Sequence, residues 1–86
     1  MRLTWLPGGW EDYLFFQKQD PKILHKINEL IRDTVRSPFT GIGKPEPLRG
    51  NLKGWWSRRI AADHRLVYRI EGDALIVMQC RFHYDR

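Results

Sequence analysis

The chain is poor in cysteine. Its one thiol, Cys80, has no second cysteine to pair with, so no internal disulfide forms, and without Cys or His pairs at ligand spacing there is no zinc motif. Long apolar runs are missing too. No stretch of 18 consecutive apolar residues offers a membrane span, and Met1-Arg2-Leu3-Thr4-Trp5-Leu6-Pro7 lacks the apolar centre of a secretory signal. The expectation is a cytoplasmic protein with no membrane contact and no cofactor or metal. Length is limiting as well: 86 residues hold one core, which predicts a single domain over 1–86. Finally, acid is scarce. Ten Asp and Glu face 15 Lys and Arg, for a net charge of +5 and a pI near 9.8, and that balance makes nucleic acid the first partner to consider.

What is present falls into three tracts. Arg2-Leu3-Thr4-Trp5 alternates and is bounded by Pro7-Gly8-Gly9, the pattern of a short opening strand and a turn. From Trp10 the apolar residues Trp10, Tyr13, Leu14 and Phe15 recur at helical spacing with Glu11 and Asp12 in the first turn, which predicts a helix to about Gln19. Asp20-Pro21 is a cap followed by proline at the first helical position, and Ile23, Leu24, Ile27, Leu30, Ile31 and Val35 form one stripe beyond it. The two helices should fold back as an antiparallel hairpin.

Between Ser37 and Asn51 the periodicity stops, and Pro38, Gly41, Gly43, Pro45, Pro47 and Gly50 punctuate the chain. A loop of this length in so small a domain is usually functional. It carries Lys44, Glu46 and Arg49, and the prolines on both sides of Glu46 hold its neighbours extended, which orients the carboxylate. The last tract reads as strands over Trp56–Ala61, His64–Ile70 and Ala74–Tyr84, with a turn at Glu71-Gly72-Asp73. The fold class is therefore α+β: an N-terminal strand and a two-helix hairpin packed on an antiparallel C-terminal sheet.

Strand parity sorts the faces. Leu66, Tyr68 and Ile70 share a face with His64, and Ile76, Met78, Cys80, Phe82 and Tyr84 share one face of the last strand; these are the core candidates. If both sets lie on one side of the sheet, paired residues sum to an even number, which excludes a plain two-residue Gly72-Asp73 hairpin. Arg65, Val67 and Arg69 then share the outer face with Gln79, Arg81 and His83. With Arg58 and Arg59 this gives a surface of guanidiniums without matching acids, which favours phosphate binding.

Cleaving RNA without a metal needs a base for the ribose 2′-OH, an acid for the departing 5′-oxygen and cations for the charge that builds on phosphorus. Glu46, His83 and Arg65 are the candidates for these roles, provided the Glu46 loop folds over the face bearing Arg65 and His83. His25 reads as solvated and His64 as a structural hydrogen-bonding group. Cys80 reads as a small buried hydrophobe. One of Trp55 and Trp56 belongs to the core, leaving the other for a base or a protein partner.

Several separated motifs then resemble one family. Lys44-Pro45-Glu46-Pro47-Leu48, Asn51-Leu52, Gly54, Trp56-Ser57-Arg58-Arg59-Ile60, His64-Arg65-Leu66-Val67-Tyr68 and Cys80-Arg81-Phe82-His83-Tyr84 look like the YoeB/Txe toxins of the RelE/ParE superfamily. Trp10-Glu11-Asp12-Tyr13 and Lys26-Ile27-Asn28-Glu29-Leu30-Ile31 extend the match upstream. The resemblance implies a RelE-like fold and a ribosome-dependent endoribonuclease that cuts mRNA in the ribosomal A site and is neutralised by a YefM-like antitoxin. It also implies a tendency to form homodimers. Carried over by motif, Glu46 is the general base, His83 the general acid and Arg65 the main transition-state clamp. Arg49 and Arg59 hold phosphate and Tyr84 lines the site, with Lys44 completing the expected substrate-binding set. The chain departs from the family at Pro7-Gly8-Gly9, where a more polar helix start is expected, and at Asp85-Arg86, which extend beyond the His-Tyr end. A contact from Asp85 would raise the pKa of His83. Two other readings remain at this stage: an RNA- or ribosome-binding module that does not cut, and a ParE-like toxin acting by protein contact.

Overall fold

Proline and aspartate set the helix starts. In the computed structural model, which describes residues 1–84, β1 is Arg2–Trp5, α1 Pro7–Gln19, α2 Pro21–Arg36, β2 Glu46–Pro47, β3 Trp56–Ala61, β4 His64–Glu71 and β5 Ala74–Gln79, with a 3₁₀ turn over Gly50–Leu52. Asp85 and Arg86, and so the expected contact of Asp85 with His83, lie outside the described residues. Pro21 occupies the start of α2 and Asp20 Oδ1 accepts from the Ile23 amide at 3.3 Å, as the sequence implies. The start of α1 differs from expectation. Pro7-Gly8-Gly9 is its first turn rather than a turn before it, which moves Glu11 and Asp12 into the second. The cause is close packing: a Cβ on Gly9 would lie 2.7 Å from the Val77 carbonyl oxygen, so glycine lets α1 lie against β5 instead of breaking the chain. Asp20 alone joins the helices, and Tyr13 Oη donates to Asn28 Oδ1 at 2.7 Å across the hairpin.

The sheet runs β1-β5-β4-β3-β2. Its C-terminal strands are antiparallel as expected, but β1 joins β5 in parallel, so the whole sheet is mixed. The β4–β5 connection corrects the parity expectation. Glu71 pairs with Ala74 across the two-residue Gly72-Asp73 turn, with Gly72 at φ +59°. Paired residues therefore sum to an odd number, and Leu75 and Val77, not Ile76 and Met78, join Leu66 and Tyr68 in the core. Tyr68 pairs with Val77 while Val67 pairs with Gln79. Met78 is thus the extra residue of a bulge, which returns Cys80 to the helix side. The strand then stops at Gln79, so Phe82 and Tyr84 are not strand residues on the core face, and Phe82 is exposed.

Phe16 of α1 and Ile27, Leu30 and Ile31 of α2 close over Ile60, Leu66, Tyr68, Leu75, Val77 and Cys80. Burial pushes the Cys80 thiol far above its usual pKa, with the Asp12 carboxylate adding to the effect, and its amide donates to Asp12 Oδ2 at 3.1 Å. A thiol held this way stays protonated and unreactive.

One charge is buried in this core. Arg58, which the sequence assigns to the basic surface, pairs with Leu66 and so faces the helices, with no exposed area. Its Nη1 donates to Asp33 Oδ2 at 2.6 Å and to the Ile42 carbonyl at 3.1 Å, and its Nη2 to the carbonyls of Ser37 at 2.6 Å and Thr40 at 2.9 Å. Nε donates to Tyr68 Oη at 3.2 Å, and that hydroxyl donates to the Pro38 carbonyl at 2.7 Å. A guanidinium removed from water needs every donor satisfied, and the segment from Ser37 to Ile42 is wrapped to do this. The loop then reaches Gly43 (φ +79°), whose carbonyl accepts from the Arg59 amide at 2.6 Å. A Cβ there would lie 2.7 Å from Leu30 Cδ2.

Removing the donor takes from the Asp33 carboxylate its shortest hydrogen bond, leaving it the Ile42 amide and Arg36, and takes from the carbonyls of Ser37, Thr40 and Ile42 the guanidinium they meet. Arg58→Met is expected to destabilise the fold by about 3–5 kcal/mol in urea unfolding. The hydrogen bond from Arg58, with that from the Ile42 amide, holds the Asp33 carboxyl below its ordinary value of 3.8. Because its folded pKa is depressed, the unfolded chain binds the extra proton in the interval between the two values. This contribution is complete above the ordinary value and is lost as pH falls through the lower, folded one. Urea unfolding measured from about pH 5 downward should lose this part of its acid limb in Asp33→Asn.

Candidate active site

Arg58 and Arg59 are neighbours on β3 and so point to opposite faces. The first seats the loop from inside, and the second lies exposed on the outer face opposite Arg65 of β4. Past Gly43 the chain turns at Lys44 (φ +51°) and pairs along β3, with Glu46 opposite Ser57 and Pro47 opposite Trp56. Proline is tolerated here because β2 is an edge strand. Register places Glu46 on the face of Ser57, Arg59 and Arg65, and with Lys44 these residues enclose a cavity of about 200 Å³. Ser57 is its buried member; sequence reasoning passed over it because only the β2–β3 register brings it under Glu46.

Arg65 is the best-fixed of the cations. Its Nη1 donates to the carbonyls of Ala61 at 2.7 Å, His64 at 3.0 Å and Ala62 at 3.3 Å. The β3–β4 turn thus holds the guanidinium in place through one nitrogen, a preorganised positive charge beside an exposed carboxylate.

A second cleft, of about 560 Å³, shares Glu46 and is lined by Pro47, Leu48, Arg49 and Tyr84. Tyr84 arrives there because the chain turns back after β5. Phe82 takes φ +63°, its amide donates to His64 Nδ1 at 2.8 Å and its carbonyl accepts from the Arg65 amide at 3.1 Å. Gln79 Nε2 adds a bond to the Arg81 carbonyl at 3.1 Å. Lys44 and Phe82 are the non-glycine residues with positive φ among those described, and they stand on the two segments that border the site.

The structure therefore gathers Lys44, Glu46, Arg59 and Arg65 around one cavity, and Arg49 and Tyr84 with Glu46 around its neighbour. His83 lines neither; it is half-buried, and its ring lies 4.4 Å from that of Tyr84. The other arginines of the expected basic face are committed elsewhere. Arg81 Cζ sits 3.5 Å from the Phe15 ring centroid, and Arg69 pairs with Glu71 and lies 5.1 Å from the Trp55 ring. Trp56 packs on the core and against Phe39. The expectation for His64 is met in form, since it accepts a structural hydrogen bond, and His25 is exposed.

A groove of about 500 Å³ beside β1 and the helices is lined by Leu3, Trp5, Tyr13, Ile31 and Val35 with Asn28 and Arg32. It is larger than the cavity around Arg65 and smaller than the Tyr84 cleft, and no carboxylate lines it. Among the described residues no three His, Cys, Asp or Glu side chains gather as a metal site. Around Glu46 the charge is otherwise positive, from Lys44, Arg49, Arg59 and Arg65, which suits a phosphodiester held against a base.

Known proteins share this arrangement of elements. A toxin YoeB of Escherichia coli K12 is 56% identical over 84 residues, covering 98% of this chain and all of its own. A solved YoeB/ParE toxin from Agrobacterium tumefaciens is 55% identical with a TM-score of 0.95, covering 98% of this chain and 100% of that one. Two Staphylococcus aureus structures, a YoeB dimer and a heterotetrameric YoeB–YefM toxin–antitoxin complex, are each 44% identical over 98% of both chains, with TM-scores of 0.91 and 0.90. The sequence pattern described as the YoeB-like toxin of bacterial type II toxin–antitoxin systems matches residues 5–84. The chain therefore belongs to the YoeB family of toxins.

Proposed function

We propose that this toxin is a ribosome-dependent endoribonuclease that cuts mRNA in the A site by general acid–base chemistry. The observation that carries the reading is the cavity in which one carboxylate, Glu46, meets Lys44, Arg59 and Arg65. Glu46 removes the proton from a ribose 2′-OH, and the O2′ so formed attacks the adjacent phosphorus. Arg65, with Arg59, neutralises the charge that builds on the phosphoryl oxygens. The P–O5′ bond breaks as His83 protonates the departing oxygen, giving a 2′,3′-cyclic phosphate and a 5′-hydroxyl. Lys44 and Arg49 hold flanking phosphates and Tyr84 stacks on a base. Because the nucleophile belongs to the substrate, the protein's work is orientation and charge, and DNA, lacking the hydroxyl, is spared.

The ribosome supplies a single strand held in one geometry, so binding to it in the cytoplasm is part of the reading. No helix among the described residues is long and apolar enough to cross a membrane. The Staphylococcus aureus relative assembled with YefM supports a YefM-like antitoxin as the regulator, and the YoeB dimer of that organism supports a homodimer. An acidic segment folding over the cationic site would neutralise it.

Purified protein added to mRNA on programmed ribosomes should cut at the vacant A-site codon and leave cyclic-phosphate ends. Glu46→Gln and His83→Gln should each lose about 10²–10⁴-fold in rate. Tight ribosome binding without cuts would replace the enzyme by a binding module, and toxicity insensitive to both substitutions would point to action by protein contact. Arg59→Gln and Lys44→Gln should weaken RNA binding and each lower the slope of log K against log salt by about 1, read by fluorescence anisotropy.

A further inference from the structure

The backbone turn that sends the chain into the site is made by a residue poorly suited to it. Phe82 adopts φ +63°, a region that bulky side chains rarely enter and keep only where the surroundings over-determine it. Those surroundings are specific. The Phe82 amide donates to His64 Nδ1 at 2.8 Å, and its carbonyl accepts from the Arg65 amide at 3.1 Å and from Gln79 Nε2 at 3.4 Å. The His64 ring is itself held edge-on to Phe16, with centroids 5.0 Å apart, and its centroid lies 5.9 Å from that of Phe82.

We propose that His64 is a positioning residue, whose Nδ1 latches the Phe82 amide and thereby aims His83 and Tyr84 at the substrate. The bond acts on main chain, one peptide before His83, so it orients the following residues whatever side chain position 82 carries. Only the neutral tautomer with its proton on Nε2 can accept at Nδ1; imidazolium has no acceptor to offer. His64 also adjoins Arg65, whose amide closes the same turn and whose guanidinium lines the cavity. The latch thus ties the tail to the strand that carries the proposed clamp. The proposal rests on the reading that His83 and Tyr84 act on RNA.

Three substitutions separate a latch from simple packing. His64→Asn puts its amide oxygen, two bonds from Cβ, where Nδ1 stands. His64→Gln moves the acceptor one bond further, to the place of Nε2, and His64→Phe keeps the ring but has no acceptor. Cleavage on programmed ribosomes, run with the full chain, should show wild-type kcat for Asn. Gln and Phe should each lose about 10²-fold in kcat with KM little changed, the scale expected for misplaced catalytic groups. Amide exchange at Phe82 should be slow in the wild type and the Asn variant and fast in the other two. Equal losses in all three variants would reduce His64 to a packing role, and no loss in any would remove it from the reaction; either outcome overturns the proposal. A wild-type protein that cuts nothing would instead overturn the ribonuclease reading, and Phe82 exchange across the same variants would still decide whether His64 holds the tail.

Discussion

The buried guanidinium of Arg58 is the constraint on which the site depends. A charge placed in an apolar core demands compensation, and a single carboxylate cannot satisfy a five-donor fork. Asp33 takes one part of it and the Tyr68 hydroxyl another, and the carbonyls of Ser37, Thr40 and Ile42 take the rest. These carbonyls belong to a stretch with no periodicity and no core face of its own. Its path is set by donors it must meet, and that path ends with Gly43 against β3 and Glu46 on the outer face.

A second constraint works from the other side of the same strands. The chain after β5 has no ladder to follow, so hydrogen bonds to Phe82 from the Arg65 amide and to His64 Nδ1 turn it back. Loop and tail therefore converge from opposite directions on β3 and β4. The sheet supplies the rigid floor, with Ser57 and Val67 buried beneath, and the two irregular segments carry the proposed base and acid. Rigid elements carrying reactive loops are a common division of labour in active sites. The strained residues, Lys44 and Phe82, stand where each segment enters.

Family membership and geometry answer different questions. Identity above half to the Escherichia coli relative places the chain among toxins of toxin–antitoxin systems. The cavity adds a physical reason for a phosphodiester, because one carboxylate stands among cations with no competing acid lining it. The groove beside β1 is close in volume to the cleft shared by Glu46 and Tyr84, so the charged lining and not size distinguishes the candidate site.

Local rules sufficed wherever the cause was local. The Asp20-Pro21 cap, the stripe of α2 and the bounds of β3 all follow from spacing and side-chain type, because helix and strand periods act over a few residues. Glu46 also stands out in the sequence, between two prolines in a long loop. The errors came where distant backbone decided. Gly9 is helical because β5 passes 2.7 Å from its missing Cβ, and Ile76 yields the core to Leu75 because a two-residue turn sets the pairing. Arg58 and Arg59 look alike in sequence, yet one is a buried anchor and the other a surface cation. Composition and pattern determined the α+β class, the positive charge and the candidate reactive residues. Only tertiary structure decided which arginines reach the cavity, because strand register and the desolvation of one guanidinium are set by contacts between residues far apart in the chain.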